Sequence, residues 1–216
     1  GYLTDDQIGN LLKAQGNTYM SFVQSLVNEG FVKMEEIDTI FDGYREENGF
    51  TKSDMETLKS DEPERIVPLF LTPETMKHQD VIGVAVRTII RCVDRHMYIG
   101  KVSVKEDFEI KNAAIQEVKG EGGYTTAFAE QYGGLLKLAS IFGQEDFDRM
   151  DVDALDAVGE FLNCVNGLHA SALSQNGAIL ELMPPNLITE ETKLDGKVCV
   201  MPIYVKGMCL AFIVKE

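Results

Sequence analysis

Asp156-Ala157-Val158-Gly159-Glu160-Phe161-Leu162-Asn163 precedes Met183-Pro184-Pro185-Asn186, and the two runs carry most of the information in this chain. Asp156, Glu160 and Asn163 stand at i, i+4 and i+7. On a helix turning about 100° per residue they fall within roughly 60° of one another. Leu155, Val158, Leu162 and Val165 fall on the opposite face. The spacing therefore predicts an amphipathic helix with an apolar back and a narrow carboxylate–carboxamide front. An ordinary solvated face mixes Lys, Arg and Glu, and this one has no long cation.

Working outward, the 216 residues suffice for one large domain or for a core domain with a small companion. The net charge of −15 argues against nucleic acid or an anionic membrane surface as partner. No signal-peptide pattern and no apolar run long enough to span a bilayer are read in these residues, so a cytoplasmic protein is expected. Cys92, Cys164, Cys199 and Cys209 share no zinc-ligand spacing and lie in apolar surroundings. They read as buried free thiols, which suits a reducing cytoplasm.

Residues 1–68 read as a small all-helical module. Thr4-Asp5-Asp6-Gln7 opens a first helix with Ile8, Leu11, Leu12, Tyr19, Phe22, Val23, Leu26 and Val27 as its apolar set. A second helix carries Ile37, Ile40, Phe41 and Tyr44 and stops at Asn48-Gly49. Ser53-Asp54-Met55-Glu56 is a capping box for a third. Residues 69–216 form the larger domain. A helix runs from Pro73 to about Asp94, with strands near Tyr98–Val104 and Ile110–Val118. The turn Gly120-Glu121-Gly122-Gly123 leads into Tyr124–Phe128. Helices follow at about Glu130–Phe142 and Asp153–Ser174, then strands near Ala178–Met183, Lys197–Tyr204 and Cys209–Val214, the last two joined by Lys206-Gly207. Strands cluster and do not alternate with helices, so the fold class is α+β.

The glycine-rich run precedes a strand and not a helix N-terminus, so it reads as a hairpin turn and not a phosphate loop. His169 has no ligand spacing and reads as structural; His78 and His96 flank a helix. No activated Ser or Cys, metal cluster or P-loop is visible, so the polar stripe has no nucleophile of its own.

Asp156, Glu160, Asn163 and the Pro184-Pro185 pair resemble the motif of the CheC/CheX-type chemotaxis phosphatases: Asp or Ser, three residues, Glu, two residues, Asn, and a proline somewhat over twenty residues on. The order of elements over roughly residues 73–216 is similar as well. The resemblance implies a CheC/CheX-like domain, an antiparallel-rich sheet with long helices packed on one side. It also implies hydrolysis of the aspartyl phosphate of a CheY-like response regulator.

By resemblance, the catalytic pair is Glu160 and Asn163. The glutamate pairs with the receiver's lysine and fixes the docking angle, and the asparagine holds the attacking water in line. Asp156 is an auxiliary or docking residue, and Asn166, one turn beyond the motif, extends the polar contact. The domain needs no cofactor; Mg²⁺ is expected on the phosphorylated partner. The helix Val81–Asp94 has Arg87, Thr88 and Arg91 where a second motif copy would place its acid and amide, so a single-site, CheX-like and homodimeric protein is expected. The rival readings are a non-enzymatic adaptor or dimerisation module that binds a receiver domain and, more remotely, a small-ligand sensor.

Overall fold

The computed structural model describes residues 27, 30–60 and 62–215. The first expected helix, from Thr4 to Val27, lies outside the described residues except for Val27. A break between Arg65 and Ile66 separates two compact units.

In the first unit, α1 spans Met34–Asn48 and ends at Gly49, whose φ of 64° lets its N–H bond back to Glu46 O. Helix α2 spans Lys52–Leu58. Its capping box is Thr51 with Asp54: the Thr51 hydroxyl accepts from Asp54 N at 3.2 Å, and the Asp54 carboxylate accepts from Thr51 N at 2.8 Å. The box expected at Ser53 thus begins two residues earlier, where Thr51 takes the extended backbone that an N-cap requires. A single turn, α3, covers Pro63–Ile66 at the boundary.

The second unit holds helices α4 (Gln79–Cys92), α5 (Gly134–Gly143) and α6 (Val152–Gln175). Its strands are β1 (Tyr98–Ile99), β2 (Ser103–Ile110), β3 (Ala113–Gly120), β4 (Tyr124–Glu130), β5 (Leu180–Leu182), β6 (Asn186–Ile188), β7 (Thr192–Val205) and β8 (Met208–Lys215). Every pairing is antiparallel. The sheet runs β1-β7-β8-β4-β3-β5, with β2 also on β7 and β6 also on β3. This is the α+β architecture expected from the clustering of strands.

Several boundaries depart from the sequence reading: the helix expected from about Glu130 begins at Gly134, and the strand expected over Tyr98–Val104 is shared between β1 and β2. Helix α4 begins at Gln79 and not at Pro73, because Thr72 and Thr75 bond locally: Thr72 N donates to Thr75 Oγ1 at 2.8 Å, and the buried Thr75 hydroxyl reaches back to Thr72 O. The strand expected over Ile110–Val118 is two strands. Asn112, with φ of 50°, turns the chain between β2 and β3, a conformation that asparagine tolerates. Strand β7 begins at Thr192, and its first half pairs with a charged β2 around a bulge at Asp107. There Asp107 accepts from Gly196 N at 2.9 Å and meets Lys193 at 3.0 Å. The hairpins at Gly120–Gly123 and Lys206-Gly207 form as read. Lys206 and Gly207 have φ of 51° and 78°, the pattern of a type I′ turn.

Leu155, Val158, Leu162 and Val165 are fully buried, as their helical spacing demands. Phe161 of α6 packs on Phe128 of β4 and Phe142 of α5, with ring centroids 5.5 and 5.0 Å apart; Phe212 of β8 lies 4.8 Å from Phe128. The other sheet face carries Ala113, Ala127, Ala129, Val198, Val200, Ala211 and Ile213. Phe108 and Leu194 from one end of the sheet and Ile188 from the other pack against this same cluster, so the sheet curls over its row of small residues.

Asp94, just past α4, ties that helix to the β7–β8 turn. Its carboxylate accepts from His96 N at 3.0 Å and from Lys206 N at 2.8 Å, with Lys206 Nζ at 3.5 Å, and its side chain is 3% exposed. Removing it orphans two backbone donors. Asp94→Ala should therefore cost about 2–3 kcal/mol in urea unfolding. A loss below about 0.5 kcal/mol would show that water replaces the carboxylate there.

Candidate functional site

Helix α6 starts where Asp151 accepts from Ala154 N at 3.2 Å, with Asp153 in its first turn. It runs 24 residues without a lysine or arginine. Asp156, Glu160 and Asn163 are all solvent-exposed on its outer face. Glu160 makes no hydrogen bond or ion pair with any described residue, and neither does Asp156. The motif residues expected to face a partner are thus presented together.

Asn163 differs from the two carboxylates in being held from behind. Its Oδ1 accepts from Gln116 Nε2 of β3 at 2.7 Å. The same Gln116 nitrogen donates to the backbone carbonyl of Met183 at 2.8 Å. Gln116 is 1% exposed. Its Oε1 accepts from Asn166 Nδ2 at 2.8 Å. Asn166 Nδ2 also donates to Thr126 Oγ1 at 2.8 Å, and the Thr126 hydroxyl donates to Asn166 Oδ1 at 2.9 Å. Gln116 and Thr126 are register partners on β3 and β4, so their side chains stand side by side beneath the helix.

Asn166 therefore does not extend the outer contact. It is fully buried, facing the sheet, and its docking role is corrected to a structural one. The helix geometry carried this signal: three residues past Asn163, Asn166 lies roughly 20° around the helix from the buried Leu155. Gln116 and Thr126 went unnoticed in the sequence. Their trace was one polar residue within each inward-facing row of alternate positions, Ala114-Gln116-Val118 and Tyr124-Thr126-Phe128.

The proline pair has a structural origin. Met183 N donates to Glu117 O at 3.0 Å, which ends the β5 ladder. Pairing resumes with Asn186 opposite Ile115, while Leu182 stands opposite Val118. Four steps along this edge oppose three along β3, so a bulge sits at Pro184-Pro185, where the missing N–H groups cost nothing. The bulge releases the Met183 carbonyl toward Gln116. On α6, a Cβ at Gly159 would stand 3.4 Å from Pro185 Cβ and 3.2 Å from Leu187 Cδ2, so the helix and the proline segment meet one residue before Glu160.

Cys199 and Cys209 are buried as expected, but Cys92 and Cys164 are exposed. Cys164 shares the open face of α6 next to Asn163. Desolvation pushes its thiol above the usual value, with Cys92 and Glu160 adding to the effect. No group of three or more His, Cys, Asp or Glu able to hold a metal ion occurs among the described residues. None of the described helices is long and apolar enough to cross a membrane.

No family model matches this chain, and no curated protein matches it by sequence. Solved structures do match. A chemotaxis protein CheX from Desulfovibrio desulfuricans has a TM-score of 0.54 at 15% identity, covering 63% of this chain and 96% of its own. A CheC-like chemotactic protein from Shewanella oneidensis has 0.55 at 15%, covering 66% and 98%. The CheX of a CheX–CheY–BeF3–Mg complex from Borrelia burgdorferi has 0.53 at 17%, covering 63% and 95%. The chain thus carries a domain with the CheC/CheX-type fold.

His169, one turn past Asn166, is buried and shares a 2.7 Å hydrogen bond with Tyr124. Burial lowers the imidazole pKa from its ordinary 6.5, opposed in part by Asp80, and raises the Tyr124 phenol to about 12. Below 6.5 the unfolded chain binds a proton that the folded chain refuses. Stability from this group is therefore intact above 6.5 and declines as pH falls toward the lowered folded value. His169→Gln should flatten that component when urea-unfolding free energies are compared from about pH 7.5 to about pH 5. Parallel curves for the two proteins would show that the histidine titrates alike in both states.

Proposed function

We propose that this protein is a CheX-like phosphatase that hydrolyses the aspartyl phosphate of a CheY-like response regulator. The observation that carries the reading is the joint exposure of Glu160 and Asn163 on a cation-free helix face, with the amide anchored and the carboxylate unpaired among the described residues. The fold supports it, as does the occurrence of a CheX of that fold in complex with CheY, BeF3 and Mg.

The chemistry is a displacement at phosphorus. A water oxygen forms the new P–O bond, the bond to the receiver's carboxylate oxygen breaks with its electron pair, and the water's protons leave to phosphate and solvent. Neither Glu160 nor Asn163 becomes covalently attached. Glu160 pairs with a receiver lysine and sets the docking angle, and Asn163 holds the water in line. Asp156, one turn away, adds negative charge to the docking face. The Mg²⁺ that offsets phosphoryl charge belongs to the receiver.

Asn163→Ala should lower kcat by about 100-fold or more while receiver binding survives. Glu160→Lys should weaken binding by about tenfold or more, through repulsion with the receiver's lysine. The assay is multiple-turnover phosphate release from phosphorylated receiver domains of the same genome. Dephosphorylation by Asn163→Ala at the wild-type rate would overturn the mechanism. Binding without turnover by wild type would make the protein an adaptor for a receiver domain.

A further inference from the structure

We infer that Gln116 is the positioning residue that orients the Asn163 amide, and that it makes Asn163 present its Nδ2 hydrogens, not its carbonyl oxygen, to the partner. This rests on the reading of Asn163 as the water-holding residue. The geometry behind it is independent of that reading.

One fixed acceptor decides the orientation. The Met183 carbonyl can only accept, so the end of the Gln116 amide lying 2.8 Å from it must be Nε2. That same nitrogen lies 2.7 Å from Asn163, whose near atom must then accept and is Oδ1. At the other end, Gln116 Oε1 needs a donor and receives Asn166 Nδ2 at 2.8 Å. Asn166 in turn donates to Thr126 Oγ1 and accepts the Thr126 hydroxyl proton. The polarity of a backbone carbonyl is thus passed through three carboxamides without an unmatched atom; no buried side-chain N or O lacks a partner among the described residues. Turning the Asn163 amide over would set its N–H against the N–H of Gln116.

The consequence is chemical. An exposed asparagine rotates freely between two faces, one donating and one accepting. Here the accepting face is turned inward and the donating face is held out. Two N–H groups can then grip the lone pair of a water or an oxygen of the phosphoryl group, and no reorientation is needed when the partner docks. Proton acceptance from the water falls to the receiver's phosphoryl oxygens.

The test combines two Gln116 variants with a measurement on wild type. Gln116→Met keeps the volume and removes both donors. Its kcat should fall by about 10- to 100-fold with KM within about twofold, assayed well below its melting temperature. A purely structural role would instead lower the folded fraction and leave kcat per folded molecule unchanged, which would overturn the inference. Gln116→Glu restores a donor only when protonated, so its activity should rise as pH falls through the carboxyl pKa, an acid limb absent from wild type.

In wild type, both Gln116 Nε2 hydrogens should be protected from exchange with water. The Asn163 Nδ2 pair, assigned by its loss in Asn163→Ala, should exchange as an exposed amide and shift in Gln116→Met. Protected Asn163 hydrogens beside freely exchanging Gln116 hydrogens would overturn the orientation. If wild type turns over no phosphorylated receiver, the functional reading fails, while the exchange measurement still decides the orientation.

Discussion

The site depends on a row of polar side chains buried where a helix meets a sheet. Gln116, Thr126 and Asn166 occupy positions that the surrounding pattern would fill with Leu or Val. A buried amide left without partners costs on the order of 1–3 kcal/mol, more than a packed methyl cluster would. Here each member satisfies the next, and the row ends outside the core, on Asn163. A fully satisfied polar network rigidifies and specifies a single arrangement, whereas an apolar contact would let the helix rotate or slide by a fraction of a turn. The cost of burying amides is offset by a fixed rotational setting of α6, and so of the Glu160 and Asn163 directions.

The proline pair completes that constraint from the edge of the sheet. Proline cannot donate to a ladder, so it interrupts the pairing of this edge with β3 and forces the bulge between β5 and β6. That interruption leaves the Met183 carbonyl for a side chain, and Gln116 takes it. The same segment packs on α6 at Gly159, where the lack of a side chain permits an approach that a Cβ would make tight. Glycine inside a helix loses about 1 kcal/mol against alanine, so its presence here trades helix propensity for close packing beside the site. Two features far apart in sequence, a helix stripe and a proline pair, thus meet through one hydrogen-bonded glutamine.

Much of this was legible in the chain. The amphipathic period of α6, its cation-free front and the proline spacing marked the right elements, and the clustering of strands marked the class. What the sequence hid follows from physical causes. Strand β2 is charged and half-exposed at the edge, so it lacks the apolar alternation that reveals a strand. Asn166 looked like one more polar residue beside the stripe, yet its angle places it over the sheet. Cys164 reads as apolar by composition, yet it follows Asn163 on the open face. Gln116 has a partner 47 residues away along the chain, and no local pattern encodes that pairing.

On the proposed function, the exposed carboxylate of Glu160 is a selector as well as a contact. Exposed to water, it costs nothing. Once a partner covers it, its hydration is lost, and only an opposed cation with good geometry repays that loss. A partner surface without such a cation is therefore rejected by the same group that accepts a receiver's lysine. Asn163 adds a second filter, because its outward N–H groups favour an oxygen-rich anion over another donor. The two residues, about 4.5 Å of rise apart on one helix by ordinary helical geometry, together describe a partner with a cation beside an oxyanion. Specificity of this kind asks for rigidity more than for added contacts, and the buried amide row beneath the helix supplies it.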